Sequence, residues 1–243
     1  MRNCILLTHQ WILNNSEKAW KRHVFDFCVT HYRRHNPDTY IMITGHGEKP
    51  LDSTLDLADW YYWQPELIQG DMNKGHPILV TNGLNHAKEM NIENVCKTRI
   101  DTINMIPNIA DHCHKTLERS GKSILNTHYY KNNYSLMDLF MYSSVDDQLK
   151  LFNPKKWEVS WINDGTGPVA RNYIEDINNE EVKLPFDLNF WEQSLNKNIL
   201  FLNPTQLKWL DFRKHRDSLR SISSDLMDMD HNFDKFKRYV WVH

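Results

Sequence analysis

The first part of the chain alternates between short apolar runs and one amphipathic stretch. Residues 4–8 and 39–44 are the apolar runs, and the stretch between them has apolar residues at helical spacing, beginning after Ser16 and ending at Pro37. Two strands joined by a helix through short connections form a parallel βαβ unit. This alternation constrains the fold more than any other feature of the sequence. It predicts an α/β domain with a central mixed, mostly parallel sheet flanked by helices.

The same alternation continues along the chain. Residues 58–63 predict a third strand, and residues 75–90 predict a helix that leads into a strand over 95–100. Beyond position 101, we expect a helix closed by Gly121 and a Rossmann-like domain that ends in a helical appendage. The other predicted elements are strands over 123–126, 136–142 and 198–202 and helices over 145–152, 169–177, 188–195 and 204–215. Without a repeat or a linker, residues 1–243 are interpreted as one domain.

Composition and charge exclude several classes of function. The formal net charge is −2, which gives no electrostatic reason to expect a nucleic-acid partner. No run approaches the roughly 20 apolar residues of a transmembrane segment, and we expect no signal peptide before the first strand. The four cysteines are far apart and form no CxxC pair, so we expect reduced, buried thiols in a cytoplasmic protein. The oligomeric state stays open.

One strand ends on an acidic residue. Residues 95–100 are followed by Asp101, and Lys97 and Arg99 fall on one face of the strand because side chains alternate. Ligands of open α/β sheets bind outside the carboxyl ends of the strands. Asp101 is therefore a candidate contact to a divalent cation or a diphosphate, and the two basic residues are candidate contacts to the same anion. The alternative is an acid that begins a turn or caps the next helix.

Two stretches, residues 82–101 and 134–152, resemble glycosyltransferases of the GT-A fold. Within that fold, the chain resembles the WavE-type family, which is associated with lipopolysaccharide synthesis. Members of this family are found in bacteria and some large viruses. The resemblance spans roughly residues 4–175 and implies transfer of a sugar from a nucleotide-diphosphate sugar to a hydroxyl of a glycan acceptor. It implies that residues 1–101 form the nucleotide-binding half. Residues 102–243 would form the acceptor half and the C-terminal helices.

The resemblance also implies where the nucleotide donor lies. The base and ribose would lie near the ends of the first two strands, at Thr8, His9, Gln10 and Thr44. Asn82 and Asn85, together with Lys97 and Arg99, would approach the ribose or the diphosphate. Asp101 would stand at the first position of an Asp-x-Asp motif and bind the metal. In this chain Thr102 and Ile103 follow Asp101, so the second carboxylate is absent and dependence on Mn²⁺ or Mg²⁺ is in doubt.

Two further acids are candidates for the base that an inverting transferase needs, because a carboxylate must take the proton from the acceptor hydroxyl. Asp138 lies in an otherwise apolar run, a costly place for an acid without a partner or a function. Asp164 lies in a glycine-rich segment that is able to close over a substrate. Their structural alternatives are a buried acid bonded to the backbone and an ordinary turn residue.

Other functions remain as alternatives. A sugar nucleotidyltransferase has a similar fold, but such enzymes usually carry a glycine-rich loop after the first strand, and residues 7–11 contain no glycine. A non-catalytic nucleotide- or glycan-binding module is compatible with the missing acid, whereas the retained Lys97, Arg99 and Asp101 weigh against it. A dinucleotide-dependent oxidoreductase is disfavoured because no GxGxxG motif follows a strand.

Overall fold

A computed structural model describes residues 3–9, 18–47, 49–65, 72–127, 129–130, 135–137, 139–157, 167–182 and 187–211. The helices are α1 (Lys18–His35), α2 (Asp52–Leu55), α3 (Met72–Glu89), α4 (Ile109–Ser120), α5 (Val145–Leu151), α6 (Gly167–Asn172) and α7 (Leu188–Asn198). A 3₁₀ turn spans Pro154–Lys156, and a π-helical turn over Tyr173–Ile177 continues α6. The strands are β1 (Asn3–Thr8), β2 (Tyr40–His46), β3 (Trp60–Gln64), β4 (Asn94–Arg99), β5 (Thr102–Asn104), β6 (Ile124–Asn126), β7 (Tyr129–Tyr130), β8 (Ser135–Leu136), β9 (Phe140–Ser144), β10 (Ile199–Phe201) and β11 (Trp209–Asp211).

Seven strands form the main sheet in the order β10-β6-β9-β4-β1-β2-β3. Four of its six strand pairs are parallel, and β9 runs antiparallel to both of its neighbours, β4 and β6. The fold is therefore α/β with a mixed, mostly parallel sheet, as the sequence predicts. The strand order reverses at β1, because β2 and β3 follow on one side of it whereas β4 lies on the other.

Side-chain alternation along the central strand builds two cores. In β1, Ile5 and Leu7 join a core formed with α1 and α4, which cover what we call the α1 face of the sheet. Cys4 and Leu6 join a core formed with α3, α5, α6 and α7 on the opposite side, the α3 face. All four side chains are fully buried, which explains why this run is apolar without interruption. The close approach of α3 to the sheet requires Gly83, where a Cβ atom would lie 2.5 Å from a methyl carbon of Leu6.

Most predicted elements are present with small shifts of their ends, but the predicted strand over 136–142 is wrong as a single element. β8 ends at Leu136 and β9 begins at Phe140. The two pair with different partners, β8 with the short strand β7 and β9 with β4 and β6. An apolar run indicates burial, and it does not show that one sheet receives the whole run.

The helix predicted over 204–215 is wrong in its described part. Residues 204–208 form turns, and β11 pairs antiparallel with β5 in a separate two-stranded sheet. Lys208 has a φ of 46°, a left-handed conformation that interrupts a helix. Leu207, Trp209 and Leu210 are buried in the core of the α1 face, so tertiary packing rather than helical periodicity explains their apolar character. The predicted appendage from position 212 onward lies outside the described residues.

Two further expectations concern helices and cysteines. Among the described residues, no helix combines the length and the apolar character that crossing a bilayer requires. The four cysteines Cys4, Cys28, Cys96 and Cys113 are buried free thiols, as their apolar neighbours predict. Burial raises the pKa of the Cys113 thiol well above its usual value, with a further contribution from its neighbour Cys96.

Candidate functional site

The reversal of strand order at β1 marks the candidate site. Because β1 has β2 on one side and β4 on the other, the carboxyl ends of β1 and β4 form a topological switch point, and open α/β sheets bind ligands at such a point. β1 ends at Thr8 and β4 ends at Arg99, and the two residues are in register. Asp101 follows two positions after Arg99. The structure thus places three residues predicted from the sequence, Thr8, Arg99 and Asp101, at one switch point.

Four side chains cross the sheet in a single line at this switch point. Arg99 is in register with Thr8, Thr8 with Thr44, and Thr44 with Tyr62 of β3. Alternation from Val95, Leu6 and Met42 places these residues on the α3 face. We call Arg99, Thr8, Thr44 and Tyr62 the polar row. Adjacent strands lie about 4.8 Å apart, so the Cα atoms at its two ends are roughly 14 Å apart.

Arg99 and Asp101 form a buried ion pair at one end of the polar row. Arg99 Nε lies 2.9 Å from Asp101 Oδ1, and the second hydrogen bond joins the Nη2 and Oδ2 atoms over 2.8 Å. The exposed fractions of the two residues are only 5% and 6%. The hydroxyl of Thr102 donates to the Arg99 carbonyl oxygen over 2.9 Å and fixes the turn that carries the acid. The fork orients a guanidinium at the switch point and compensates the carboxylate charge in a water-poor site.

Lys97 lies one row below Arg99 on the same face and is fully buried. Its ammonium nitrogen is 3.1 Å from Nε2 of His76 in α3 and 5.2 Å from the centre of the Phe152 ring. An ammonium group only donates hydrogen bonds, so Nε2 of this histidine accepts one. Lys97 therefore places a positive charge beneath the polar row. His76 is a site neighbour that the sequence analysis did not identify.

The end of β2 carries polar atoms whose hydrogen-bonding capacity is unused. Thr44 is fully buried and His46 is 5% exposed. Among the described residues, no hydrogen-bond partner is present for the hydroxyl of Thr44 or for either ring nitrogen of His46. Both side chains lie on the α3 face, since they alternate with Ile43 and Gly45. The sequence analysis included Thr44 and missed His46, although an i, i+2 relation along the same strand was visible.

His9 lies on the other face of the sheet. Its ring stacks on Trp63 with centroids 5.4 Å apart and meets Phe25 edge-on at 4.4 Å. Trp63 in turn packs over Gly45, where a Cβ atom would lie 2.2 Å from a ring carbon. The backbone N–H of His9 donates to the Thr44 carbonyl oxygen over 2.8 Å. The structure thus brings His9 near the carboxyl edge and separates its ring from the polar row.

Asn82 and Asn85 lie away from the edge. In α3, His76 contacts Lys97, Gly83 packs on Leu6 in the middle of β1, and the Tyr40 hydroxyl at the start of β2 lies 3.1 Å from a nitrogen of His86. α3 therefore runs from the carboxyl edge toward the amino edge. The two asparagines are level with the middle and the amino ends of the strands. Helical spacing put them on one strip, but it did not show how far along the sheet that strip lies.

The remaining predicted residues, Gln10, Asp138 and Asp164, lie outside the described residues. The described part of the chain contains no group of three or more histidine, cysteine, aspartate or glutamate residues arranged to hold a metal ion. Both oxygens of Asp101 accept hydrogen bonds from Arg99. A cation at Asp101 would thus compete with the guanidinium and need ligands from elsewhere, so the described donor set alone does not fit a divalent cation.

A buried tyrosine supports the turn after β4 from the α1 face. Burial raises the pKa of Tyr32 well above its usual value, so its hydroxyl stays protonated. It donates to Oδ1 of Asn104 over 2.9 Å. The carbonyl oxygen of that asparagine accepts a further hydrogen bond from His31 over 3.1 Å. α1 thereby anchors β5, the segment that directly follows Asp101.

Comparisons with known proteins give likenesses in structure and none in sequence. No protein-family model and no curated protein matches the chain. A cytidylyltransferase from Leptospira borgpetersenii is 14% identical, covering 100% of this chain and 98% of that one at a TM-score of 0.49. A candidate glucose-1-phosphate thymidylyltransferase from Bacillus anthracis is 11% identical, covering 96% and 98% at a TM-score of 0.49. A candidate nucleotide-diphospho-sugar transferase from Desulfovibrio desulfuricans is 12% identical, covering 95% of this chain and 99% of that one at a TM-score of 0.46. We argue function from the residues of this chain.

Proposed function

We propose that this chain is a glycosyltransferase that moves a sugar from a nucleotide-diphosphate sugar to a hydroxyl of a glycan, with inversion at the anomeric carbon. The single observation that supports donor binding most strongly is the buried Arg99–Asp101 fork at the switch point of the sheet. The glycosyl-transfer part rests on the resemblance of residues 82–101 and 134–152 to GT-A enzymes.

Arg99 supplies what the departing nucleoside diphosphate needs. Breaking the glycosidic bond leaves negative charge on the diphosphate oxygens, and preorganised donors in a site of low dielectric stabilise such charge strongly. The guanidinium is held by Asp101 before substrate binds, so little reorganisation is needed. Lys97 adds a second buried positive charge from below. In this proposal the two basic side chains carry the role that a metal has in other transferases.

A divalent cation at Asp101 is the competing form of the same proposal. A bound Mn²⁺ or Mg²⁺ would supply Lewis-acid stabilisation of the diphosphate. It would take Asp101 as one ligand and displace at least one hydrogen bond from Arg99. The two forms differ in one measurable property, because only the cation form loses donor binding on chelation.

We propose either Asp138 or Asp164 as the base that takes the proton from the acceptor hydroxyl. A carboxylate within hydrogen-bond reach of the acceptor hydroxyl would take its proton as the bond to the sugar forms. We expect Asp138→Asn to leave donor affinity intact and to stop transfer. A fall in both donor affinity and melting temperature would assign Asp138 a structural role, and the same variant of Asp164 then becomes the next test.

The experiment that tests the proposal is a thermal-shift panel of UDP, GDP, CMP and dTDP with their sugar conjugates, each with and without manganese and with a chelator. A ligand of the native state raises the melting temperature with its concentration relative to its Kd. We expect one nucleoside diphosphate to shift the melting temperature, and Arg99→Met to abolish that shift. Absence of a shift with every nucleotide contradicts the proposal and favours a non-catalytic module.

Product analysis separates transfer from sugar-nucleotide synthesis. The protein is incubated either with the nucleotide sugar that binds and a glycan acceptor, or with the matching nucleoside triphosphate and sugar 1-phosphate. A glycosyltransferase releases a nucleoside diphosphate from the first mixture, because the bond to the anomeric carbon breaks. A nucleotidyltransferase instead releases pyrophosphate from the second mixture, and that result would replace our assignment.

A further inference from the structure

We infer that Thr98, Thr102 and Tyr32 are positioning residues for the donor site, because their buried hydroxyl groups fix the turn that orients the Arg99 guanidinium. This inference rests on the proposed function and deepens it, since it assigns the orientation of the guanidinium to side chains on the opposite face of the sheet. The three residues touch no ligand in this assignment and act through Arg99. None of them is among the site residues predicted from the sequence.

The three hydroxyl groups lie together behind the backbone of Arg99. Thr102 Oγ1 donates to the Arg99 carbonyl oxygen over 2.9 Å. A hydroxyl has one hydrogen to donate, so Thr102 Oγ1 accepts in its second bond, from Thr98 Oγ1 3.0 Å away. Burial is the largest influence on the pKa of Tyr32 and raises it, whereas interaction with the hydroxyls of Thr98 and Thr102 acts to lower it. We call these three groups the hydroxyl cluster.

The hydroxyl cluster lies in apolar surroundings. Thr98, Thr102 and Tyr32 are fully buried. Thr98 alternates with Cys96 and Ile100, which belong to the core of the α1 face. Hydroxyl groups are costly in such a place unless they are hydrogen-bonded to one another or to the backbone. A fully paired network of this kind rigidifies the segment that it contacts, and here that segment carries the ion pair of the donor site.

The first strand fixes the same turn from the side of β1. The Thr8 hydroxyl donates to the Thr98 carbonyl oxygen over 3.2 Å, and the Ile100 N–H donates to the Thr8 carbonyl oxygen over 3.1 Å. The backbone between Arg99 and Asp101 is thus held by β1 and by the hydroxyl cluster. Because these two residues are only two positions apart, the geometry of their fork depends directly on that backbone. A displacement of about 1 Å in a positioned group is enough to cost up to about 100-fold in rate.

The inference predicts that removing one hydroxyl weakens binding of an anion on the other face. Thr102→Val removes the hydrogen bond to the Arg99 carbonyl oxygen and keeps a side chain of similar shape. Affinity for a diphosphate should fall about fivefold, the effect of one hydrogen bond on the orientation of the guanidinium. Thr102→Ser keeps the hydroxyl and should retain most of the affinity. Thr98→Val, one bond further from Arg99, should show a smaller loss in the same direction.

The experiment measures the affinity of the full chain for UDP, GDP, dTDP and inorganic pyrophosphate by calorimetry, well below the melting temperature of every variant. A matched pair of tyrosines separates positioning from stability. Tyr32 donates to Oδ1 of Asn104 over 2.9 Å, and Tyr142, also buried, donates to Oδ1 of Asn3 over 3.0 Å at the amino edge of the sheet. Tyr32→Phe and Tyr142→Phe should lower the melting temperature by similar amounts. Only Tyr32→Phe should weaken binding of the diphosphates and of pyrophosphate.

Three outcomes would overturn the inference. Wild-type affinity in Thr102→Val would overturn it while the proposed donor site stands. Equal losses of affinity in Thr102→Val and Thr102→Ser, or in Tyr32→Phe and Tyr142→Phe, would show that the hydroxyl cluster serves the stability of the fold alone. Failure of the wild-type protein to bind any probe, pyrophosphate included, would contradict the proposed function and remove this inference with it.

Discussion

Two arginine–aspartate pairs lie at opposite edges of the sheet, and they differ in what they connect. Arg33 and Asp59 meet near the amino ends of β2 and β3, with Nη2 and Oδ2 2.7 Å apart. Arg99 and Asp101 meet at the carboxyl edge, with the corresponding atoms 2.8 Å apart. The first pair is partly exposed, with 25% and 37% of its side chains accessible, and the second is buried.

The pair at the amino edge links separate segments. The Arg33 guanidinium also donates to the backbone carbonyl oxygens of Leu57, Pro37 and Thr39. Asp59 accepts a further hydrogen bond from the backbone N–H of Ile41 over 2.7 Å. α1, the turn before β2 and the turn before β3 are therefore held by one ion pair. Such an arrangement serves the fold.

The pair at the carboxyl edge joins residues two positions apart, and its two hydrogen bonds lie within the turn after β4. Burying two charges costs solvation energy that their attraction only partly returns. A buried ion pair at a switch point is consistent with the proposed donor site. The comparison shows that the segments an ion pair connects indicate its role better than the distance between its charged atoms does.

The largest effect should come from replacing the carboxyl-edge pair by apolar side chains. In Arg99→Met with Asp101→Leu, both charges disappear together, so the free energy of unfolding should change by less than about 2 kcal/mol. Affinity for the nucleoside diphosphate should fall about 100-fold, since a charged, bidentate contact is lost. Calorimetric titration and denaturant unfolding check the two values. If this variant keeps wild-type affinity for the nucleoside diphosphate, the carboxyl-edge pair does not differ from the amino-edge pair in ligand binding.

The matching replacement at the amino edge should act on stability alone. Arg33→Met with Asp59→Leu removes the donors to three carbonyl oxygens and the acceptor for one N–H, so the free energy of unfolding should fall by about 2 kcal/mol, water replacing part of these bonds. Denaturant unfolding measures the loss, and nucleotide affinity should equal that of the wild type. A change in affinity here would remove the distinction between the edges.

Substitution of Gly45 on the α1 face tests whether that face of the sheet contributes to stability without contributing to nucleotide binding. Gly45→Ala brings a Cβ atom within 2.2 Å of the Trp63 ring, which must move and lose its stacking on His9. We expect a loss of about 1.5 kcal/mol in the free energy of unfolding. Nucleotide affinity should change little, because the polar row lies on the opposite face. A loss of affinity larger than the loss of stability would implicate the His9 ring in binding.

The smallest effect concerns a polar cluster in the second half of the chain. Burial acts to raise the pKa of Glu180, but hydrogen bonds from Lys197 and Ser194 outweigh it and lower the pKa below its usual value. Its contribution to stability is therefore present above about pH 4.3 and is lost as pH falls through the lowered folded-state pKa. Glu180→Gln should remove less than about 1 kcal/mol at pH 7 and nothing at pH 2, measured by denaturant unfolding at each pH.

The sequence predicted the sheet well where periodicity and burial agree. α4 extends from Ile109 to Ser120 with Gly121 in the left-handed conformation, as the pattern and the closing glycine indicate. β11 could not be predicted, because Trp209 and Leu210 fit a helical strip as well as they fit a strand. Their pairing with β5 depends on residues a hundred positions earlier, which local pattern does not encode.

The common face of Lys97 and Arg99 was predictable from the sequence, whereas their contacts were not. Alternation gave Lys97 and Arg99 one common face, and the structure places them there. The fork between Arg99 and Asp101 and the burial of Lys97 against His76 depend on the packing of α3, which the sequence does not show. The unpaired nitrogens of His46 are a property of its surroundings. The lack of a hydrogen-bond partner among the described residues, rather than burial, distinguishes this histidine from the equally buried His31.

The central position of β1 has a consequence for how the chain folds. Thr8 and Thr98 are 90 positions apart, and their strands lie side by side. During synthesis from the amino end, β1 is able to pair with β2 first. Its other edge stays unpaired until β4 has been made. Non-local pairing of this kind is slow, and an exposed apolar strand edge attracts other chains in the meantime. The pairing of β1 with β4 is thus the last step in forming the parallel half of the sheet, and a ligand at this switch point would bind after the sheet is complete.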